Sequence, residues 1–200
     1  MTMQGPHKAK EFVNLYLESD LPDRLINYRN AWNLDDEELP EPKKYLAYEP
    51  VAIDAWPTLI TVAISMNGLT RSDYTRIYDP RFRVDYTMRT YIWVKDDQSD
   101  LATLKRDRLT TVIRSALLDG PSLNQCGTTE GLEVMIDESS IREEYSELTL
   151  IKGERVMAGA YLGYTLTVTE TTRIPIIAPS ATGIEADVVN VGLEESFDNI

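Results

Sequence analysis

VDYTMRTYIWVKDDQSDLATLKRDRLTTVIRSALLDG, residues 84–120, reads as one long strand followed directly by the strongest helix in the chain. From Val84 to Val94 the side chains alternate with the period of a half-buried strand. Val84, Tyr86, Met88, Thr90, Ile92 and Val94 share one face. Asp85, Thr87, Arg89, Tyr91 and Trp93 share the other, which is amphipathic and predicts partial cover. Asp96 and Asp97 break the strand, Ser99 or Asp97 is the expected N-cap, and Asp100 suits the positive end of the helix dipole. Leu101, Leu104, Leu109, Val112, Ile113, Ala116 and Leu117 recur at helical spacing, and Gly120-Pro121 stops the helix.

Lys105 falls in the middle of that apolar stripe, with Arg108 at its edge. One reading has Lys105 snorkelling past the end of the sheet to water. The other has the first turns of the helix facing the carboxylates of a neighbouring subunit.

The chain has 200 residues, enough for one domain with a substantial core, or a domain with an arm. Hydrophobic content of 42% and charged content of 26% are those of a globular protein. No stretch has the length of a membrane span, and no signal-peptide pattern opens the sequence. Cys126 is the sole cysteine, so an internal disulfide is excluded and a cytoplasmic folding compartment is expected. The net charge is −13. Residues 120–200 concentrate it, with 14 acids against Arg142, Lys152, Arg155 and Arg173. Such acidity disfavours sequence-specific nucleic-acid binding.

Working outward, His7 to Ser19 predicts a helix, Leu21-Pro22 an interruption, and Asp20 to about Asn33 a second or kinked helical segment. The second segment offers Leu25, Ile26, Tyr28, Arg29 and Trp32 for packing. Residues 34–50 read as an acidic, proline-punctuated connector. Asp35, Asp36, Glu37 and Glu38 lack the spacing and glycine of a calcium loop, so a solvated charge run is expected. Thr58 to Met66 is a strand, with Ile60, Val62, Ile64 and Met66 on one face, and Asn67-Gly68 predicts a tight turn. After Gly120, Leu132–Ile136 reads as a short strand, and Ile141–Leu150 suits helix or strand. A hairpin is favoured between about Tyr145–Ile151 and Arg155–Ala158, and Ala160–Thr172 is a final threonine-rich strand. Residues 175–200 read as an extended acidic C-terminal arm, either docked on a neighbour as an added strand or left as an unpaired tail.

The only basic and aromatic neighbourhood spans Arg71, Arg76, Arg81, Arg83, Arg89, Tyr91 and Trp93. Arginine pairs phosphate and aromatics stack bases. Interleaved Asp73, Asp79 and Asp85 dilute the charge, and arginine with tyrosine is equally the composition of protein interfaces. The interface reading is favoured, and Lys105 and Arg108 join these seven as subunit-contact candidates.

No nucleophile elbow, phosphate loop, dinucleotide fingerprint or zinc helix is present. His7 is the only histidine and lies near the terminus, so no Ser–His–Asp or Cys–His arrangement is indicated. A hydrolase working through a carboxylate pair is compatible with residue type, but nothing singles out a pair. No catalytic, cofactor or metal residue is assigned.

The order of elements resembles the tail terminator family of long-tailed bacteriophages, also called tail completion or tail-to-head joining proteins. The strand RVDYTMRTYIWV at 83–94 carries the resemblance, with the leucine-rich helix 100–118 ending LLDGP and the strand YTLTV at 164–168. A domain is expected over residues 1–174, with 175–200 as an arm longer than the family requires. The resemblance, over roughly residues 10–172, implies an α/β (α+β) fold in which N-terminal helices and one long helix pack on a mixed, mainly antiparallel sheet. It further implies a virion protein without enzymatic activity or cofactor, assembled in the host cytoplasm. Six copies would form a ring that caps the tail tube, joins it to a head-completion or neck protein, and passes genomic DNA without gripping it. Another head–tail connector or minor tail protein is the neighbouring expectation.

Overall fold

The computed structural model describes residues 5–50, 52–71, 81–120, 134–145, 150–152 and 155–171. The elements run α1 (Gly5–Trp32), β1 (Lys44–Leu46), β2 (Thr58–Arg71), β3 (Arg81–Asp96), α2 (Ser99–Asp119), β4 (Val134–Tyr145), β5 (Leu150–Lys152) and β6 (Arg155–Thr171). The sheet order is β1-β2-β3-β6-β4, with β5 also paired to β6. Only β1 and β2 pair in parallel; the other ladders are antiparallel. The fold is thus mixed α+β, with a mainly antiparallel sheet and two helices. The C-terminal arm, residues 175–200, lies outside the described residues.

β3 behaves as its alternation predicts. Val84, Tyr86, Met88, Thr90, Ile92 and Val94 are all buried, and on β6 so are Leu162, Tyr164, Leu166 and Val168. Both helices press onto this face. Ala9, Val13, Leu17, Leu21 and Leu25 of α1 join Leu109, Val112, Ile113, Ala116 and Leu117 of α2 in one core with the strands. Within that core a polar chain crosses three strands, from Thr61 to Thr90 at 3.2 Å and from Thr90 to the Tyr164 hydroxyl at 2.9 Å. Each hydroxyl finds a partner, as burial requires, and burial raises the Tyr164 hydroxyl above its ordinary pKa.

Several sequence expectations are corrected. α1 runs unbroken through Pro22. Leu17, Leu21 and Leu25 continue one buried stripe across it, and their burial outweighs the lost backbone hydrogen bond. Ile26 and Trp32, expected to pack, are substantially exposed. Asn67-Gly68 is no turn, because β2 continues to Arg71 along the long β3 template, with register irregularities at Ala63/Ser65 and Met66/Gly68. Asn67 instead accepts a hydrogen bond from Ser65 at 2.7 Å and donates to Thr87 on the neighbouring strand. The acidic connector contains the parallel strand β1 and is pinned by buried Leu39, whose carbonyl accepts from Arg29 at 3.0 Å. Its Asp35 carboxylate accepts the Glu37 and Glu38 amides, which folds the charge run into a turn.

At α2, Leu101 and Leu104 are 37% and 43% exposed, while Ala102 and Arg106 turn inward. Neither Ser99 nor Asp97 caps it: Gln98 is the N-cap and makes no side-chain cap bond. Instead Asp96 accepts the Asp97 and Gln98 amides just upstream. Residues 141–145 prove to be strand, continuing β4 past an irregularity between Asp137 and Arg142. β5 and β6 form the expected hairpin, but its second arm and the final strand are one element. Gly159 does not interrupt it, because the Trp93 ring lies where a side chain would stand, 2.7 Å from an added Cβ.

The far end of α2 is closed by Tyr16. Its hydroxyl donates to the Ala116 carbonyl at 2.7 Å, and the Gly120 amide donates to the same oxygen at 3.1 Å. A Cβ at Gly120 would lie 1.9 Å from that hydroxyl. Gly120→Ala is therefore expected to expel Tyr16 and destabilise the fold by about 1–3 kcal/mol in urea unfolding. A change near zero would show that the close approach is not structurally required.

Candidate subunit-contact surface

With both helices on one face, the described part of the opposite face carries no helix. Its composition changes along the strands. Toward the Arg81 end it presents Arg83, Asp85, Thr87, Thr165, Thr167 and Thr169, and toward the other end Arg89, Tyr91, Trp93 and Tyr161. Tyr91 and Tyr161 are cross-strand partners with ring centroids 5.3 Å apart, and the Arg89 guanidinium lies 4.5 Å from the Tyr161 centroid.

The aromatic half holds a groove of about 410 Å³ lined by Glu49, Pro50, Ala52, Ile53, Trp56, Ile60, Tyr91, Trp93 and Met157. A smaller recess of about 190 Å³ adjoins it, sharing Tyr91 and Trp93 and bounded by Glu144, Tyr145 and Tyr161. On the far side of Trp56 lies a third hollow of about 540 Å³, lined by Lys43, Asp54, Lys95, Asp96 and Asp97. Lys95 sits 5.7 Å from the Trp56 ring.

Eight of the nine candidates are described, and they divide into three groups. Arg71, Arg81 and Arg83 stand at one end of the sheet, where β2 ends and β3 begins. Arg89, Tyr91 and Trp93 belong to the aromatic half, with Trp93 roughly 33 Å from Arg83 at 3.3 Å per residue. Lys105 and Arg108 lie on α2, and here the reasoning from sequence is corrected. Lys105 Nζ binds Asp96 Oδ2 at 2.5 Å, and Arg108 reaches the Glu38 carbonyl at 3.2 Å and its carboxylate at 3.5 Å. Both cations find partners in their own chain, so they no longer argue for a neighbour. Arg76 lies outside the described residues.

Sequence reading missed Trp56, Ile53, Met157, Tyr161 and Glu144 as parts of one surface. They come from three separate segments that only the cross-strand register brings together. Arg106 was missed too: it is 8% exposed, paired with Asp107 at 2.8 Å, and set 5.0 Å from the Tyr145 ring.

The two sheet edges differ. β1 covers β2 only over Thr58–Ile60. Beyond it, residues 61–70 carry no charged side chain, and Ile64, Met66 and Leu69 are 47%, 57% and 56% exposed. Among the described residues nothing pairs with this edge of β2. The opposite edge, β4, carries Asp137, Glu138, Arg142, Glu143 and Glu144 and a bulge, the usual defences of a solvent-facing edge.

Among the described residues no group of His, Cys, Asp or Glu is placed to hold a metal ion, and no helix is long and apolar enough to cross a membrane. The hydrogen bond from Lys44 holds Asp54 below the usual carboxylate range. For Asp96, burial works against the charge, but Lys105 and the Gln98 and Asp97 amides outweigh it and lower its pKa. A carboxyl retaining its proton for acid catalysis needs the opposite shift. No protein-family model matches this sequence, and no curated protein matches it.

The depressed Asp96 pKa fixes a pH dependence. Its pairing stabilises the fold above the unfolded carboxyl pKa of about 4 and is lost as pH falls through the lower folded value. Lys105→Met is expected to cost about 1 kcal/mol at pH 6 and progressively less as pH falls below the unfolded carboxyl value and through the lower folded one, read from urea midpoints. A cost independent of pH would contradict the pairing.

Proposed function

We propose that this chain is a structural subunit of a ring in a bacteriophage tail or neck, of the tail-terminator kind. In this reading six copies close head to tail, one side of the ring seats on the tail tube, and the other meets the head-completion or neck protein. Genomic DNA passes through without specific binding, and the protein performs no catalysis.

The observation that carries the reading is the β2 edge. A ten-residue strand edge with no charge and three exposed large apolar side chains invites pairing, and folded proteins ordinarily cover or charge such edges. The guarded β4 edge of the same sheet makes the contrast internal. A surface of this kind is maintained when another chain covers it. The element order from β2 to β6, with helices packed on a mainly antiparallel sheet, supports the reading. A closed ring supplies the required cover through heterologous contacts, one patch meeting a different patch on the next copy.

Native mass spectrometry of the purified chain, alone and with polymerised tail tubes, tests this. The expected species is a closed multiple of the 22.7 kDa chain, with six copies the anticipated number. Met66→Lys, which charges the edge at an exposed position, is expected to raise the concentration needed for assembly about tenfold or more. A monomer at every concentration that also ignores the tubes would overturn the reading.

A further inference from the structure

We propose that the aromatic groove is a socket for the next copy's arginine-bearing sheet end, and that Arg83 is the side chain that enters it. This rests on the ring reading and names the contact that closes the ring.

The groove's chemistry specifies a cation. Trp56, Tyr91 and Trp93 line it together with the Glu49 carboxylate, and Glu144, which accepts a hydrogen bond from the Tyr161 hydroxyl, lines the adjoining recess. Aromatic faces attract a cation through their quadrupole, and a planar guanidinium both stacks on the ring and hydrogen-bonds a carboxylate at its edge. The surroundings already use this chemistry. Arg89 lies over Tyr161 at 4.5 Å and Lys95 over Trp56 at 5.7 Å. Among the described residues no cation stacks on Trp93, the ring shared by groove and recess.

The same chain cannot fill its own socket from the other end of the sheet. Arg83 is ten residues from Trp93 along one straight strand, roughly 33 Å away. It is also loosely held: its side chain is 62% exposed, with Asp85 at 3.6 Å and Thr167 at 3.5 Å as its contacts. Socket and arginine at opposite ends of β3 define a heterologous contact, which repeats head to tail and gives a ring where the rotation between copies closes. The position of the socket fits as well. Ile60 lines it, and the uncovered β2 edge begins at the next residue, so a neighbour covering that edge meets the groove without a break.

The test is a charge swap read by light scattering across a concentration series, at about 50 mM and about 500 mM NaCl. Arg83→Glu, and separately Glu49→Arg with Glu144→Arg, are expected to raise the concentration for half-assembly about tenfold at low salt and less at high salt. The triple variant carries both halves of the swap on every chain and is expected to recover to within about threefold of wild type. All three positions are solvent-facing, and circular dichroism checks that the variants stay folded. Rings that form equally well in every variant, or a triple variant no better than the double, overturn the socket and leave the ring reading standing. A wild-type chain that never assembles overturns both.

Discussion

The antiparallel pairing of β3 with β6 is the constraint on which the rest of the molecule depends. It runs through sixteen consecutive residue pairs, from Arg81↔Thr171 to Asp96↔Val156, with no register shift. Strand side chains alternate strictly, so this one register assigns every residue of both strands to a face. Even-numbered positions meet the helices. Odd-numbered positions form the opposite face, where Tyr91 meets Tyr161 and Trp93 covers Gly159. A slip of one residue would bury Arg89 and expose Met88. Core and candidate contact surface are therefore two consequences of a single alignment.

The sheet built on this pair is asymmetric at its edges. β3 and β6 are its centre, and β2 and β4 flank them. β4 meets β6 with an irregularity and a row of charges. β2 follows β3 for fourteen residues through two irregularities, yet offers only uncharged side chains from Thr58 to Thr70. One edge is suited to water; the other carries none of those defences among its described residues. An edge of this second kind is a liability in a free monomer and an asset in a subunit.

The parts legible in sequence were those governed by local periodicity. The alternation of Val84–Val94 gave the core face of β3, and the helical recurrence from Leu109 to Leu117 gave the buried stripe of α2. Local signals misled where a longer element overrode them. Asn67-Gly68 has turn chemistry, but the length of β3 keeps β2 extended. Pro22 has breaker chemistry, but buried leucines on both sides keep α1 whole. Lys105 was out of place on a helical wheel because its partner, Asp96, lies before the helix begins. The candidate surface was half legible: Arg89, Tyr91 and Trp93 share a strand face that alternation reveals. Trp56, Met157 and Tyr161 join them only through sheet order and register, which no local pattern encodes.

If another copy of the chain covers the β2 edge, the outward amides of that strand gain protection on assembly. Hydrogen exchange of the backbone amides of residues 61–70, followed over a range of protein concentrations, tests it most directly. The amides facing away from β3 are expected to exchange quickly in dilute protein and become protected as concentration rises, while β3 and β6 amides stay protected throughout. Rapid exchange of those β2 amides at every concentration, including that at which assemblies form, would contradict it.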